Sequence, residues 1–307
     1  MDKQQADISD PLIAAAVEKY NSRRRQKGLL GGGAVFLIVF ILVTVIAFIT
    51  KEMVFFSFLL VGAAFSIPSY FYLNRHGDSE QEAVVAAVLK SSLGNETVYR
   101  RDSGFLASEC RKVGLFQVGE IYKTSDYIAS EYKGVSYSCA NVSSGSITYV
   151  GFGRSRRPVY VHYFDGILLK YDFNKSIEGR IEIRENKSGV DETLYFRNKH
   201  KVELEDIDFN SMYTVYASDD HLAFYVLTPP LIEALKKIKR TIVGGLIFAF
   251  ANDTLYIAVM GSGNKFELDK KITRETIEKI RKEVDPLPWF VDWFKLDSLN
   301  FKRNKGE

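Results

Sequence analysis

Two uncharged apolar runs lie almost end to end near the start of this chain and constrain its fold more than any other feature. They cover Leu29–Thr50 and Met53–Leu73, and only Lys51 and Glu52 separate them. At about 1.5 Å per residue, each run forms a helix of roughly 30 Å, the thickness of the hydrocarbon core of a bilayer. One continuous helix would place both charges at the bilayer centre, at about 2.5–3.5 kcal/mol for each. The sequence therefore predicts a transmembrane helical hairpin at residues 29–73.

Two alternatives to a membrane hairpin fit the apolar runs less well. In a soluble protein, helices of this length carry a polar face, which neither run has. A secretory signal sequence would start closer to the N-terminus, and a small-residue cleavage site would lead from it into polar sequence. No such site occurs here, so we expect the first helix to remain in the mature chain.

Positive charge near the ends of the runs predicts their orientation. Arg23, Arg24 and Arg25 precede the first helix, and Arg75 follows the second. By the positive-inside rule, both chain termini then lie in the cytoplasm, and almost nothing protrudes on the far side. The three N-terminal arginines also fit contact with anionic lipid headgroups at the membrane interface. The lipid bilayer is thus the first predicted partner of this chain.

The N-terminal segment, residues 1–28, combines a short amphipathic helix with the basic flank. Asp10 and Pro11 are a typical helix start, an N-cap followed by proline at the first helical position. The residues that then form an apolar stripe are Leu12, Ile13, Ala16, Val17 and Tyr20. This stripe either docks on the folded domain or lies on the membrane surface, and the sequence leaves both open.

Residues 74–307 are long enough for one large domain or two small ones, and their pattern predicts an α+β fold. The predicted strands are Ile121–Ser130, Val135–Val142, Pro158–Tyr171, Ser176–Arg184, Met212–Ala217, Leu222–Leu227, Ile242–Phe250, Thr254–Met260 and Lys265–Leu268. The predicted helices are Ala83–Leu93, a stretch near Phe105–Lys112, Thr228–Arg240, Thr273–Val284 and Leu287–Leu299. We therefore expect a transmembrane hairpin followed by a cytoplasmic domain with a mainly antiparallel sheet and flanking helices.

Local patterns add detail to two of these strands. Asp165-Gly166 is a typical turn pair, and Asn252-Asp253 between two apolar runs predicts a hairpin. Isoleucines alternate with Glu182 and Arg184, which predicts a strand with one apolar and one polar side.

Three segments of this domain resemble a known family. They are FDGILLKYDFNKSIEGRIEI at Phe164–Ile183, the LED, VYASD and LTP motifs within Val202–Leu235, and FAFANDTLYIAV at Phe248–Val259. With two preceding membrane helices, they are similar to a family of bacterial two-helix membrane proteins described only as a domain of unknown function. Asp165 departs from the basic residue that many relatives have before the glycine. The resemblance implies a multi-pass protein of the bacterial inner membrane with a cytoplasmic domain, and it brings no catalytic residue.

The motifs of common catalytic and metal sites are absent from the sequence. No GxxxxGK[ST] phosphate loop, GxSxG elbow or HExxH motif occurs, and Cys110 and Cys139 lack the spacing of metal ligands. We therefore predict no catalytic residue, no metal site and no cofactor, and favour a non-enzymatic role. The net charge of only +3 also argues against nucleic acid as a partner.

Two polar clusters are candidate binding sites. Arg154, Arg156 and Arg157 follow a glycine-rich turn, and their guanidinium groups suit phosphate or carboxylate. An exposed loop between strands is the simpler interpretation of this cluster. The Asp219–His221 cluster could hold a hard cation or serve as acid and base only if it lies in a turn, because neighbouring strand residues point to opposite faces. A polar hairpin turn without a ligand explains it as well.

Both tryptophans lie in the last predicted helix. Trp289, Phe290, Trp293 and Phe294 recur at helical spacing, so one face of the helix carries four aromatic rings, and basic residues follow. An aromatic face next to positive charge fits a helix at the membrane interface, with Trp289 and Trp293 at the level of the headgroups. Packing of this helix on the sheet is the alternative, which the size of the rings favours.

These observations favour a non-enzymatic, membrane-anchored protein whose cytoplasmic domain binds a protein partner or self-associates at the inner face of the membrane. The alternative is an enzyme or binder of a phosphorylated or lipid-derived anionic ligand, held by the arginine cluster. A small transporter or channel is a third function class, but two uncharged helices with no polar face would need to oligomerise to form a pore.

Overall fold

The computed structural model describes residues 11–22, 41, 81–152, 155–186, 200–261 and 273–297, without the side chains of 173–176 and 178. The chain divides into two compact units, Met1–Ser91 with Leu268–Lys279 and Ser92–Glu267 with Ile280–Glu307. Within the described residues, no helix combines the length and the apolar character needed to cross a membrane. The two predicted membrane helices, apart from Ile41, and the predicted strand Lys265–Leu268 lie outside the described residues.

The described part of the first unit is helical. α1 covers residues 11–22, and α2, which starts in this unit, covers residues 81–93. Ile13 and Tyr20 of the predicted apolar stripe are buried. The Gln81 side-chain amide donates a hydrogen bond to the Tyr20 hydroxyl over 3.3 Å, which joins the two helices. Two residues of the stripe are therefore used for packing, whereas Leu12 is 62% exposed.

Seven described strands of the second unit form one antiparallel sheet. They are β1 (Val98–Arg100), β2 (Ile121–Tyr132), β3 (Val135–Val150), β4 (Arg157–Glu185), β5 (His200–Val202), β6 (Tyr213–Ala217) and β7 (Gly245–Met260). Their order is β1-β2-β3-β4-β6-β5, and β7 also pairs with β4. The prediction of a mixed fold, in which an antiparallel sheet is combined with helices, is confirmed.

β4 organises the sheet because it is long enough to pair with three neighbours. Its first half pairs with β3 from Arg157 to Asp172, and its end pairs with β6 from Ile181 to Glu185. β7 pairs with β4 from Gly166 onward, on both sides of a shift in register. The two strands predicted at 158–171 and 176–184 are thus parts of one strand.

Helices cover both faces of this sheet. The helices after α2 are α3 (Ala107–Val113), α4 (Ile207–Met212), α5 (Asp220–Val226), α6 (Pro229–Thr241), α7 (Arg274–Val284) and α8 (Pro286–Phe294). On one face, Phe116 after α3 stacks on Phe164, with ring centroids 3.9 Å apart. On the other face, the Tyr171 hydroxyl donates a hydrogen bond to the Leu287 carbonyl of α8 over 2.9 Å. The core therefore has two layers, one on each side of the sheet.

The predicted turn at Asp165-Gly166 is wrong, because β4 runs through both residues without reversing. Gly166 is required by the close approach of β7. A Cβ atom on Gly166 would lie 2.0 Å from the Val259 carbonyl oxygen. The glycine therefore allows two backbones to pack closely and does not change the direction of the chain.

The predicted hairpin around Asn252-Asp253 is also wrong. β7 continues through these residues and stays paired with β4 on both sides of them. Asn252 has a φ of +56°, a left-handed conformation that asparagine tolerates, and the register with β4 shifts beside it. Residues typical of turns therefore mark an irregularity within a long strand.

The predicted strand Leu222–Leu227 and the predicted polar turn before it are wrong, because both belong to one helix. α5 spans Asp220–Val226, with Asp219 at its N-cap. Ala223 and Val226, three residues apart, are buried, whereas the two aromatic residues between them are more than half exposed. This burial has the period of a helix, which the apolar composition of the segment conceals.

Candidate functional site

β3 and β4 extend together beyond the rest of the sheet. β2 pairs with β3 as far as Gly145, and β7 pairs with β4 from Gly166. Beyond these points, β3 and β4 pair only with each other among the described strands, from Gly145 opposite His162 to Val150 opposite Arg157. We call residues 145–152 and 155–162 the β3–β4 ribbon. A two-stranded ribbon is only marginally stable by itself. The side chains on its surface therefore determine which contacts can stabilise it.

Two glycines shape the ribbon. At its base, the register with β4 shifts next to Gly145, and a Cβ atom on Gly145 would lie 2.4 Å from the Val161 carbonyl oxygen. At its tip, Gly151 has a φ of +111°, and the Ser155 N–H donates a hydrogen bond to the Phe152 carbonyl over 3.1 Å. A register shift at its base and a left-handed glycine at its tip therefore bound the ribbon.

The ribbon exposes apolar side chains on both faces and at its tip. Those more than a third exposed are Ile147, Tyr149, Val150, Phe152, Val159 and Val161. Phe152 is the extreme case, with 96% of its surface exposed. Strand residues alternate between faces, so Ile147 and Tyr149 share one face and Val150 lies on the other. Exposed apolar side chains concentrated in one short segment are typical of a contact site.

The ribbon is also free of negative charge. No Asp or Glu occurs in the segment Tyr132–Phe164. Of the three predicted anion-binding arginines, Arg156 and Arg157 are exposed near the tip, and Arg154 lies outside the described residues. The Arg156 guanidinium lies 5.5 Å from the centroid of the Tyr149 ring. The ribbon therefore combines apolar surface with positive charge.

A polar cleft of about 720 Å³ opens beside the base of the ribbon. It is lined by Tyr122, Lys123, Thr124, Ser125, Asn141, Val142, Ser143 and Asp165. Neither Arg156 nor Arg157 is among these residues, so the cleft and the predicted anion site are separate features. Lys123, Ser143 and Asp165 lie opposite one another on three neighbouring strands.

Asp126 organises the polar residues next to this cleft. It lies in a bulge of β2 and has a φ of +58°. Its carboxylate accepts hydrogen bonds from the hydroxyls of Tyr99 and Ser125, at 2.7 and 2.6 Å, and from the Asn141 amide at 2.9 Å. These protein donors occupy both carboxylate oxygens, so Asp126 fixes the local structure and is poorly placed to act as a base.

The last predicted helix packs on the sheet, while its tryptophans remain nearer the surface. α8 ends at Phe294, earlier than predicted, because Lys295 adopts a left-handed φ of +49°. Phe290 and Phe294 are buried, whereas 43% of the Trp289 surface is exposed and Trp293 is half-buried. The phenylalanines therefore anchor α8, and a role of the tryptophans at the membrane interface stays a prediction.

The other predicted clusters do not form a recognisable site. The Asp220 carboxylate lies 2.7 Å from Nε2 of His200 at the surface, while Asp219 precedes α5. In the part of the chain that the structure describes, no group of three or more His, Cys, Asp or Glu residues could hold a metal ion. The predicted lipid contacts at Arg23–Arg25 lie outside the described residues.

The two cysteines are free and buried, which predicts that they are unreactive. Burial raises the pKa of Cys139 to about 12 and also raises the pKa of Cys110, so both thiols stay protonated at neutral pH. We expect a water-soluble maleimide to modify neither thiol in the folded chain and both thiols after denaturation. Mass spectrometry of the intact chain measures this, and modification of either thiol in the folded chain would contradict it.

The ribbon was not predicted from the sequence. The predicted strand Val135–Val142 ends before Ser143–Ser146, whose small polar residues interrupt the apolar pattern, whereas β3 continues to Val150. The signal that could have revealed the ribbon is ITYV at Ile147–Val150 opposite PVYV at Pro158–Val161. Two segments rich in β-branched and aromatic residues, joined through a glycine-rich turn, are typical of a hairpin.

Comparison with known proteins gives one family match and one weak structural likeness. Residues 162–296 match a family described as protein of unknown function, DUF3137. No curated protein matches the chain. The crystal structure of the mycobacterial trehalose monomycolate transport factor A, TtfA, is similar at 10% sequence identity and a TM-score of 0.38. That similarity covers 65% of this chain and 94% of the other.

The family match contains the three segments on which the resemblance in the sequence rests. It confirms a domain of unknown function, whereas the two membrane helices stay a prediction. The match begins at His162, so the tip of the ribbon and all of β3 precede it. A DUF3137 domain, whose function is unknown, is therefore found at residues 162–296 of this chain.

Proposed function

We propose that this chain is a non-enzymatic, membrane-anchored binding protein that acts by contact at the inner face of the bacterial membrane. The β3–β4 ribbon is its contact surface, and the predicted helical hairpin at residues 29–73 is its anchor. The observation that carries the proposal is the exposed apolar surface of the ribbon, which ends at Phe152. Confinement to the plane of the membrane raises the effective concentration of both partners, so even a weak contact is occupied.

The energetics of the ribbon favour a covered state. Full burial of a Val, Ile or Phe side chain stabilises by about 1.5–3 kcal/mol, and six side chains of the ribbon are left at least partly in water. The hydrogen bonds between two strands alone are a weak source of stability. A contact that covers the ribbon would therefore stabilise both the complex and the ribbon itself.

The described residues offer more for binding than for catalysis. Arg156 and Arg157 are exposed, and the polar cleft does not include them. The Asp126 carboxylate beside the cleft is occupied by three protein donors. The alternative, an enzyme or binder that encloses a phosphorylated ligand, needs a pocket in which these arginines and an acid or base converge.

Thiol accessibility tests whether the ribbon is covered. The variants Phe152→Cys and Val243→Cys place a thiol at two positions that are almost equally exposed, at 96% and 93%. Phe152→Cys keeps the other five exposed apolar side chains of the ribbon, so the contact is expected to persist in this variant. In open fragments of native membrane, we expect a water-soluble maleimide to label the thiol of Phe152→Cys roughly tenfold more slowly than the thiol of Val243→Cys. A tenfold ratio corresponds to a contact stabilised by about 1.4 kcal/mol. In the chain purified in detergent, away from membrane and partners, the two rates should agree.

The control for this experiment is the native chain, whose buried thiols give the labelling background. Equal labelling of Phe152→Cys and Val243→Cys in native membrane fragments would contradict the proposed contact role of the ribbon.

A further inference from the structure

The charge of the ribbon and the placement of its apolar side chains indicate what covers it. We infer that the tip and both faces of the β3–β4 ribbon insert into the headgroup region of an anionic bilayer. This inference rests on the proposed function and names the partner of that same surface as lipid. A protein partner is the competing outcome of the test below.

The positive charge of the ribbon favours an anionic surface as its partner. The segment Tyr132–Phe164 contains no acidic residue, and Arg156 and Arg157, both exposed, follow the most exposed apolar residue of the ribbon, Phe152, by four and five positions. Guanidinium groups bind phosphate oxygens through paired hydrogen bonds, and the negative potential of an anionic leaflet attracts them over a Debye length. A second copy of the ribbon carries the same positive charge, so charge opposes pairing of two ribbon tips.

The apolar side chains lie on both faces and at the tip, which favours a partner that surrounds the ribbon. Ile147 and Tyr149 lie on one face, Val159 and Val161 lie on the other, and Phe152 lies at the tip. A protein that docks on one face would leave the other face in water, whereas the interfacial zone of a bilayer covers both faces and the tip together. Five residues of each strand beyond the base span about 17 Å. This length is sufficient to reach the boundary between headgroups and acyl chains, where interfacial segments insert by roughly 5–10 Å.

The polar groups of the ribbon fit the same location. After Gly145, the outer edge of β3 has no partner strand among the described residues, and the same holds for the outer edge of β4 before Gly166. Hydrated headgroups can satisfy the backbone groups at these edges, but the hydrocarbon core cannot, which limits insertion to the interface. Tyr149, with the Arg156 guanidinium over its ring, has the amphipathic character of residues enriched at that level.

Fluorescence in vesicles of defined lipid tests the inference with the full chain and no other protein. The Phe152→Cys variant is labelled in detergent with an environment-sensitive fluorophore and reconstituted into vesicles of phosphatidylcholine, either alone or mixed equally with phosphatidylglycerol. We expect a blue shift of the emission and a loss of quenching by acrylamide in the anionic vesicles only. The same fluorophore on Val243→Cys, the matched control, should stay in water in both vesicles. Adding Arg156→Gln and Arg157→Gln to the labelled Phe152→Cys chain should abolish the shift.

The outcomes separate this inference from the proposed function. If Phe152→Cys is shielded in native membrane fragments but shows no shift in either vesicle, the partner is a protein, and the inference falls while the proposed function stands. If the shift is equal in neutral and anionic vesicles, or survives the loss of both arginines, the anionic lipid is not what the ribbon recognises. If Phe152→Cys is unshielded in native membrane fragments, the proposed function is contradicted, and the inference that rests on it is contradicted as well.

Discussion

Replacing Phe290 by alanine is expected to lower the free energy of unfolding by about 3–5 kcal/mol. The Phe290 side chain is buried, and its ring centroid lies 5.9 Å from those of Tyr171 and Trp293 and 6.1 Å from that of Phe294. Truncation would leave a cavity between α8 and the sheet, and rigid aromatic neighbours on both sides cannot collapse to fill it. Denaturant unfolding of the full chain in mild detergent, followed by circular dichroism, measures the loss.

Trp289 is the matched control for this change. It precedes Phe290 in the same helix and has an even larger ring, but 43% of its surface is exposed. We expect Trp289→Ala to cost only about 1 kcal/mol, because exposed side chains contribute little to stability. Equal losses for Trp289→Ala and Phe290→Ala would mean that α8 does not pack through its phenylalanine side.

Helical and strand periodicity in the sequence predicted most elements, because burial follows that periodicity directly. Residues that disrupt periodicity were harder to interpret. Gly166 and Asn252-Asp253 fit a turn as well as a strand, since a small or left-handed residue is needed both where a chain reverses and where a neighbouring backbone comes close. Whether such a residue lies in a turn or within a strand depends here on the approach of β7 to β4. That approach is a tertiary contact, which local sequence does not predict.

The candidate site was only partly predictable for a similar reason. Arg156 and Arg157 are found by composition, because a glycine-rich turn with arginines is unusual wherever it lies. The exposure of Ile147 and Val161 is a property of their neighbours, since β2 stops pairing at Gly145 and β7 starts pairing only at Gly166. Residues that would be core positions in a wider sheet are therefore exposed on the ribbon.

Alternation in the C-terminal part of β4 predicted the two sides of that strand correctly, yet both sides are buried. Glu182 and Arg184 face the layer that contains α3, and they are among the most buried charged residues described. The Glu182 carboxylate accepts hydrogen bonds from Arg184 and, at 3.1 Å, from Arg180. The Arg184 guanidinium also donates to the Leu115 carbonyl over 2.9 Å, which ties the strand to the segment after α3.

Glu182→Gln is therefore expected to lower the free energy of unfolding by about 3–5 kcal/mol, because it leaves a buried guanidinium without its counter-charge. Glu182→Leu combined with Arg184→Met removes both charges at similar volume. We expect this double variant to recover part of the loss, since the desolvation penalty of both ions disappears with them. Arg180, whose side chain is 20% exposed, lacks its carboxylate partner in both variants. Urea unfolding of the single and double variants in mild detergent measures the coupling, because urea, unlike guanidinium, does not screen charge. A loss below about 1 kcal/mol for Glu182→Gln would place the pair in contact with water, as is typical of surface ion pairs.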